Sequence, residues 1–229
     1  MKAAAHELVW PVVRADRAPW ITLGVACLAL VAAAGGTEAM FIYDRSRVLA
    51  GEVWRLWTGN LVHFGLPHTV VDIGLFVILG RLLEWSNRRL VVLSLILIPP
   101  CVTGAILLFD PQMSTYGGLS GLNLGWLVIL ALRGWQRAWT DWFWPAVIVL
   151  YVAEVVQEAW LGHGMVRFDD PSIRVATWAH IGGGAAAVAL VVLDRRRAAE
   201  NQVNVAWSAV RAAAVRIRRA LPGQPEAMR

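Results

Sequence analysis

The chain has 229 residues, of which 58% are hydrophobic, with a net charge of +5 and a mean hydropathy of +0.55. This composition excludes an ordinary soluble domain, which does not need repeated apolar runs of about twenty residues. Basic and aromatic residues are not interleaved in the manner of RNA-binding proteins. We therefore attribute the positive charge to membrane topology and expect no nucleic-acid partner.

Taken in chain order, six apolar segments predict six membrane-spanning helices joined by short connections. The predicted fold is all-α, a polytopic six-helix bundle, and the first segment is interpreted as a span and not as a cleaved leader. A short cytoplasmic segment at 1–18 precedes the membrane domain at 19–195. A basic amphipathic tail at 196–229 is expected to lie on the cytoplasmic leaflet. The predicted spans are 19–42, 68–86, 90–109, 119–133, 142–161 and 175–193.

The placement of basic residues predicts the orientation of the bundle. Sixteen lysines and arginines fall on the side of the N-terminus and five on the opposite side. Positive charge is retained in the cytoplasm, so both termini are predicted to be cytoplasmic. Twenty arginines against one lysine, with abundant alanine, suggest a GC-rich bacterial genome. The expected location is therefore a bacterial cell (inner) membrane.

Four polar residues are predicted to lie at a similar depth below the outer surface. Ser120 begins the fourth span and His180 lies near the start of the sixth. His68 and Asp72, four residues apart at the start of the second span, share one helix face. Ionisable groups inside a bilayer are costly and mark functional sites by default.

Small residues recur every four positions in the fourth and sixth spans. Such spacing lets two membrane helices approach closely. If these two helices touch along the small residues, Ser120 and His180 come within reach of each other. The residues are Gly117, Gly121 and Gly125 in the fourth span, and Gly183 and Ala187 in the sixth.

An ordered set of motifs over roughly residues 50–195 resembles the rhomboid family of intramembrane serine proteases. Each motif is weak alone, but their order and spacing together are specific to that family. The motifs are Trp54-Arg55, His63 with His68, Gly80-x-x-x-Glu84, Gly118-Leu119-Ser120-Gly121 and Ala179-His180-x-x-Gly183.

The resemblance implies a serine-type endopeptidase with a Ser120–His180 dyad and no third acid. His180 would take the proton of Ser120 and later protonate the leaving amine. The oxyanion would be bound by the Ser120 backbone N–H, the His68 side chain and the residue at position 72, with Gly118 in the same site. The expected substrate is a membrane protein or a membrane-tethered exported protein, cut near the outer face. No cofactor and no metal are expected.

Two positions depart from the family pattern. Position 72 is usually asparagine, and Leu124 stands where the family often has a tyrosine that packs on the base histidine. An ionised Asp72 would repel an oxyanion, so it could help only if protonated or if it orients His68. The alternative is a catalytically weak or inactive rhomboid-like pseudoprotease that binds membrane helices. The compact chain also resembles the rhombosortase-type branch, which processes C-terminal sorting tails of exported proteins.

Glu154 and Glu158 form an unusual i, i+4 acidic pair inside the fifth span. One interpretation is that both face water near the helix end. The other is that they line the substrate entrance and favour a cationic or polar substrate residue. The sequence leaves both open.

Rival chemistries fit the sequence less well. The chain contains no H-E-x-x-H zinc-protease motif and no G-x-G-D aspartyl-protease motif. Zinc binding by His68, Asp72 and His180 would leave Ser120 unexplained. An ion carrier that uses the intramembrane carboxyls would be expected to show internal repeats, which the sequence lacks.

Overall fold

The computed structural model describes residues 18–34, 36–137, 139–162 and 174–220, and most of this length is helical. Two short strands and one 3₁₀ turn at Gly59–Leu61 lie in the connections. The strands are β1 (Tyr43–Asp44) and β2 (Thr115–Tyr116). The helices are α1 (Trp20–Ala34), α2 (Glu38–Phe41), α3 (Arg45–Leu49), α4 (Arg55–Thr58), α5 (Gly65–Ser86), α6 (Arg88–Phe109), α7 (Ser120–Arg137), α8 (Phe143–Leu161) and α9 (Thr177–Ala220).

Within the described residues, four helices are long and apolar enough to cross a membrane, namely α5, α6, α8 and the part of α9 over Thr177–Ala209. The apolar α1 is shorter, with 15 residues, and α7 has 18. Large apolar side chains remain exposed on α5, α6 and α8, as expected for helices surrounded by lipid. The predicted all-α, multi-pass membrane fold is confirmed. A count of six crossings stays a prediction.

The predicted first span, 19–42, is too long at its C-terminal end. The helix α1 ends at Ala34, and Gly36 adopts a φ of 61°, which is the left-handed conformation that commonly ends a helix. The residues that follow form the separate one-turn helix α2. The predicted segment 1–18 lies outside the described residues except for its last residue.

The chain divides into two compact units, residues 1–191 and 192–229. The second unit is helical as far as Ala220, and it exposes the apolar side chains of Val203, Val205 and Trp207. The last predicted tail residues, 221–229, lie outside the described residues. The binding of this tail to the cytoplasmic leaflet stays a prediction.

The Gly80 and Glu84 motif joins α5 to the beginning of α1. Both carboxylate oxygens of Glu84 accept hydrogen bonds there, from the backbone N–H of Ile21 and from the backbone and hydroxyl of Thr22. The first N–H groups of a helix lack partners within it, so this carboxylate satisfies them. A Cβ at Gly80 would lie 2.7 Å from the Thr22 hydroxyl, so the close approach of α1 and α5 requires glycine here.

The connection before α5 is hydrogen-bonded to α6 around two adjacent prolines, Pro99 and Pro100. Pro100 has no N–H to donate to the Ile96 carbonyl. The Trp57 indole N–H donates to that carbonyl instead, over 2.9 Å. Thr103 reaches back from α6 and donates to the Leu56 carbonyl over 3.0 Å.

The Trp54-Arg55 motif lies in the same connection, and Arg55 holds it together through hydrogen bonds. The Arg55 side chain is buried and donates to the Glu52 carboxylate over 2.6 Å. It also donates to the backbone carbonyls of Ile42 and Ala39. One guanidinium therefore organises the chain between α2 and α4, while Trp54 is half exposed.

Strands β1 and β2 pair antiparallel, with Tyr43 opposite Tyr116 and Asp44 opposite Thr115. This pairing fixes the chain immediately before α7. Three residues separate β2 from Ser120 at the start of α7.

Candidate active site

Ser120 is the first residue of α7 and follows two glycines that the fold requires. Gly118 adopts a φ of 137°, which residues with a Cβ rarely adopt. A Cβ at Gly117 would lie 2.8 Å from the Val62 carbonyl oxygen. The Gly-Gly pair thus lets the chain turn tightly between strand and helix and bring Ser120 to the helix terminus.

His180 lies in the first turn of α9, and its Nε2 is 3.0 Å from the Ser120 Oγ. The structure therefore brings together the serine and histidine that the sequence singles out. A contact of this length allows the Ser120 hydroxyl to donate to Nε2 when that nitrogen is unprotonated, which is the arrangement that activates a serine nucleophile.

Small residues let α7 and α9 approach closely enough for this contact. A Cβ at Gly125 would lie 3.0 Å from the Gly183 carbonyl oxygen, and one at Gly121 would lie 3.0 Å from the Ala179 carbonyl oxygen. A Cβ at Gly183 would overlap with the Gly121 carbonyl. The prediction that α7 and α9 touch along their glycines is confirmed.

The other ring nitrogen of His180 contacts an acid whose role the sequence leaves open. Glu158, in the last turn of α8, places its Oε2 2.6 Å from His180 Nδ1. Glu158 is only 3% exposed. The interpretation that it faces water is therefore wrong, because its carboxylate is enclosed against the histidine ring.

A second residue of α8 also contacts His180. The Tyr151 hydroxyl donates to the backbone carbonyl oxygen of His180 over 2.9 Å. Tyr151 and Glu158 are seven residues apart, which is about two helical turns, so they lie on the same face of α8. One face of α8 thus contacts both the backbone and the ring of this histidine.

His68 and Asp72 lie together at the start of α5, as their spacing predicts. His68 Nε2 is 3.2 Å from Asp72 Oδ2, and His63 Nε2 is 3.5 Å from the same oxygen. Both distances are short enough for ion pairs. Neither contact has the alignment of a hydrogen bond, however, and Asp72 Oδ2 has no hydrogen-bond partner among the described residues. The Asp72 carboxylate is therefore enclosed by two imidazoles.

The hydrogen bonds of the two histidines assign their tautomers. The Phe64 backbone N–H donates to His68 Nδ1 over 3.3 Å, so the ring proton of a neutral His68 is on Nε2. His63 Nδ1 lies 3.1 Å from the Leu61 carbonyl oxygen and donates to it. His68 consequently presents an N–H donor toward Asp72 and Gly118.

Gly118 lies directly against this pair. A Cβ there would be 2.9 Å from His68 Nε2 and 3.1 Å from Asp72 Oδ2. The Tyr116 hydroxyl donates to the Gly118 carbonyl over 2.9 Å. Burial, together with the nearby charge of Asp72, raises the pKa of Tyr116, so its hydroxyl stays protonated and remains a donor.

Asn123, three residues into α7, links the nucleophile helix to α5. Its side-chain amide donates to the Asp72 backbone carbonyl over 2.9 Å. This bond sets the position of Ser120 relative to His68 and Asp72, because all four residues then belong to one rigid junction of two helices.

A cavity of about 690 Å³ opens onto Ser120. Its lining comes from α5, α7, α8 and the chain around β2. Glu154 also lines it, and the interpretation that the acidic pair lies at a substrate entrance stays a prediction. The lining residues that bear on function are Ser120, His68, Asp72, Asn123, Glu154 and Glu158.

Among the described residues, no group of histidine, cysteine, aspartate and glutamate side chains is arranged to hold a metal ion. Sequence reasoning named Ser120, His180, His68, Asp72 and Gly118, but it did not name Tyr116 or Tyr151 and did not foresee the contact of Glu158 with His180. The signal was present as an acid inside an apolar helix, but which helix it faces cannot be read from spacing alone.

Comparison with known proteins gives one result. The family model described as the Rhomboid domain matches residues 50–197, which is more than half of the chain. None of the curated proteins compared with the chain matches it.

Proposed function

The chain belongs to the rhomboid family, and on that premise we propose that it is an intramembrane serine endopeptidase with Ser120 as nucleophile and His180 as base. The observation that carries this proposal is the 3.0 Å contact between Ser120 Oγ and His180 Nε2, with Ser120 lining an open cavity. Proteins of this family act on membrane proteins within the bilayer.

In the proposed reaction, Ser120 attacks the scissile carbonyl while its proton passes to His180 Nε2. His180 then gives that proton to the leaving amine, and water repeats the sequence to release the acyl group. The cavity supplies the route for that water. Water is the co-reactant that balances these steps.

The developing oxyanion is proposed to bind at the start of α7. The Ser120 backbone N–H is among the first of its helix, where N–H groups lack partners within the helix and carry partial positive charge. His68 Nε2–H is the second donor, and Gly118 provides the space between them. Asp72 is proposed to orient His68 through their 3.2 Å contact and not to bind the oxyanion itself.

The proposed substrate is a transmembrane protein, or an exported protein with a C-terminal membrane tether, cut near the outer face of a bacterial inner membrane. The orientation rests on the sixteen-to-five distribution of basic residues, which favours cytoplasmic termini. Processing of C-terminally tethered proteins would place the chain in the rhombosortase-type branch.

Labelling of the purified protein with a fluorophosphonate probe tests the proposal. Wild type should label, and Ser120→Ala and His180→Ala should not. Ser208→Ala, which removes an exposed hydroxyl on α9, serves as the matched control and should label like wild type. Labelling that survives Ser120→Ala would refute the assignment. A folded wild type that never labels would favour the helix-binding pseudoprotease.

A further inference from the structure

Glu158 is the feature of this bundle that the proposed dyad does not use. It is the only fully buried residue of α8 over Phe143–Leu161, a helix whose other side chains are exposed or half buried. Its carboxylate lies 2.6 Å from His180 Nδ1, which is the shortest contact described in the site. Burial of a carboxylate is expensive unless a partner compensates it.

Packing alone does not account for this residue. Other α8 side chains also pack on neighbouring helices, such as Trp144 against Gly134. A leucine or methionine in place of Glu158 would be buried at lower cost, because it needs no hydrogen bond. Ionisable groups retained inside a membrane domain are functional candidates for this reason. The carboxylate is also directed at the ring nitrogen that faces away from Ser120.

We propose that Glu158 is the positioning acid of a Ser120–His180–Glu158 triad. This inference rests on the proposed function. An ionised carboxylate only accepts hydrogen bonds, so His180 Nδ1 carries the proton and donates it to Glu158. Nε2 is then left unprotonated to accept the proton of Ser120, and the negative charge stabilises the imidazolium that forms.

The balance of the proton-transfer step is simple. The Ser120 O–H bond breaks as the Nε2–H bond of His180 forms, and the Nδ1 proton stays on its nitrogen throughout. Glu158 neither gains nor loses a proton. It acts through His180, and so it is a positioning residue and not a group that contacts substrate.

Tyr151 supports the same arrangement from the same face of α8. Its hydroxyl binds the His180 carbonyl oxygen at 2.9 Å, while Glu158 binds the ring two turns further along. The backbone and the ring of the histidine are therefore both fixed by α8.

The experiment compares Glu158→Gln with wild type in saturation kinetics of fluorophosphonate labelling. Glutamine keeps the size of the side chain, but its amide can donate to Nδ1 and so stabilise the wrong tautomer of His180. Loss of the orienting acid in such triads costs about 10⁴-fold in rate. We expect the maximal labelling rate to fall at least about a hundredfold, with an unchanged half-saturating probe concentration. Glu158→Asp should recover part of the rate.

Glu38→Gln, the same chemical change at an exposed position of α2, is the matched control and should label like wild type. A wild-type maximal rate in folded Glu158→Gln would overturn the triad while leaving the proposed function intact. Labelling that persists in Ser120→Ala would instead refute the proposed function.

A measurement on wild type decides the question if Glu158→Gln does not fold. Histidine-labelled protein is examined by ¹⁵N NMR at a pH where the ring is neutral, and His180 is assigned by its loss in His180→Ala. A protonated Nδ1 and an unprotonated Nε2 are expected. A proton on Nε2 would overturn the triad.

Discussion

Gly183 on α9 lies against Gly121 on α7 so closely that a Cβ at Gly183 would overlap with the Gly121 carbonyl. The two helices that carry His180 and Ser120 are therefore in backbone contact. The 3.0 Å distance between the two side chains depends on that contact.

Gly183→Ala should separate these helices. Overpacking of this kind costs about 1–3 kcal/mol of stability, and the serine and histidine should lose their contact. We expect a lower unfolding temperature in detergent and little or no fluorophosphonate labelling. Gly104→Ala on α6, where a Cβ meets nothing within 4 Å, is the matched control. Labelling of Gly183→Ala at the wild-type rate would show that the site tolerates a wider helix spacing.

Gly118→Ala should remove labelling because the new Cβ would lie 2.9 Å from His68 Nε2 in a strained backbone. Gly51→Ala separates the two effects. Gly51 also has a positive φ, of 105°, but a Cβ there meets nothing within 4 Å. Both variants should lose stability, of about 1–2 kcal/mol, and only Gly118→Ala should lose labelling. Equal labelling in the two would contradict the assignment of Gly118 to the oxyanion site.

Asp72→Asn tests whether the carboxylate orients His68. The variant removes the negative charge that lies 3.2 Å from His68 Nε2, and we expect the maximal labelling rate to fall roughly five- to tenfold, the equivalent of about 1 kcal/mol. A rise in rate would indicate instead that the negative charge of Asp72 opposes the oxyanion, and that the asparagine usual in the family is the better residue.

Tyr151→Phe removes the hydroxyl that binds the His180 carbonyl without changing the ring. We expect the maximal labelling rate to fall by about threefold to tenfold, the equivalent of one neutral hydrogen bond. Tyr43→Phe makes the same change in β1, away from His180, and should leave labelling unchanged. If Tyr151→Phe labels as wild type does, the α8 hydroxyl does not help to position the base.

The unfolding temperature should fall as the pH rises above about 10, the ordinary pKa of a tyrosine. Burial raises the pKa of Tyr116 and of Tyr43 in the folded protein. Above the unfolded-state pKa, the folded protein therefore binds more protons than the unfolded chain, so stability decreases with increasing pH. Tyr116→Phe should make that decrease less steep. An unchanged slope would show that Tyr116 does not contribute.

The positions and lengths of the apolar runs in the sequence were sufficient to predict most of the long helices. The apolar run at 90–109 corresponds to α6, Arg88–Phe109, within two residues at its start. The first span was predicted too long, because Gly36 turns the chain inside a stretch that is still apolar in composition. The predicted sixth span ends at 193, whereas the helix α9 continues to Ala220 through the predicted amphipathic tail, since a charged stretch ends a span but does not end a helix.

The site was predictable where spacing along one helix determines contacts. The i, i+4 relation of His68 and Asp72 and the four-residue recurrence of Gly121 and Gly125 both correspond to contacts in the structure. The partner of Glu158 was not predictable in this way. Its contact joins two helices, and the rotation of α8 about its own axis is set by packing that no local pattern records.

The proposed triad is carried by three consecutive helices, with Ser120 on α7, Glu158 on α8 and His180 on α9. During translation these segments emerge in that order, and the histidine is the last of the three. A nascent chain that has inserted α7 holds the serine without its proposed base. On the proposed mechanism the site is complete only when α9 enters the membrane, so a partly synthesised bundle would be unable to cut the proteins beside it.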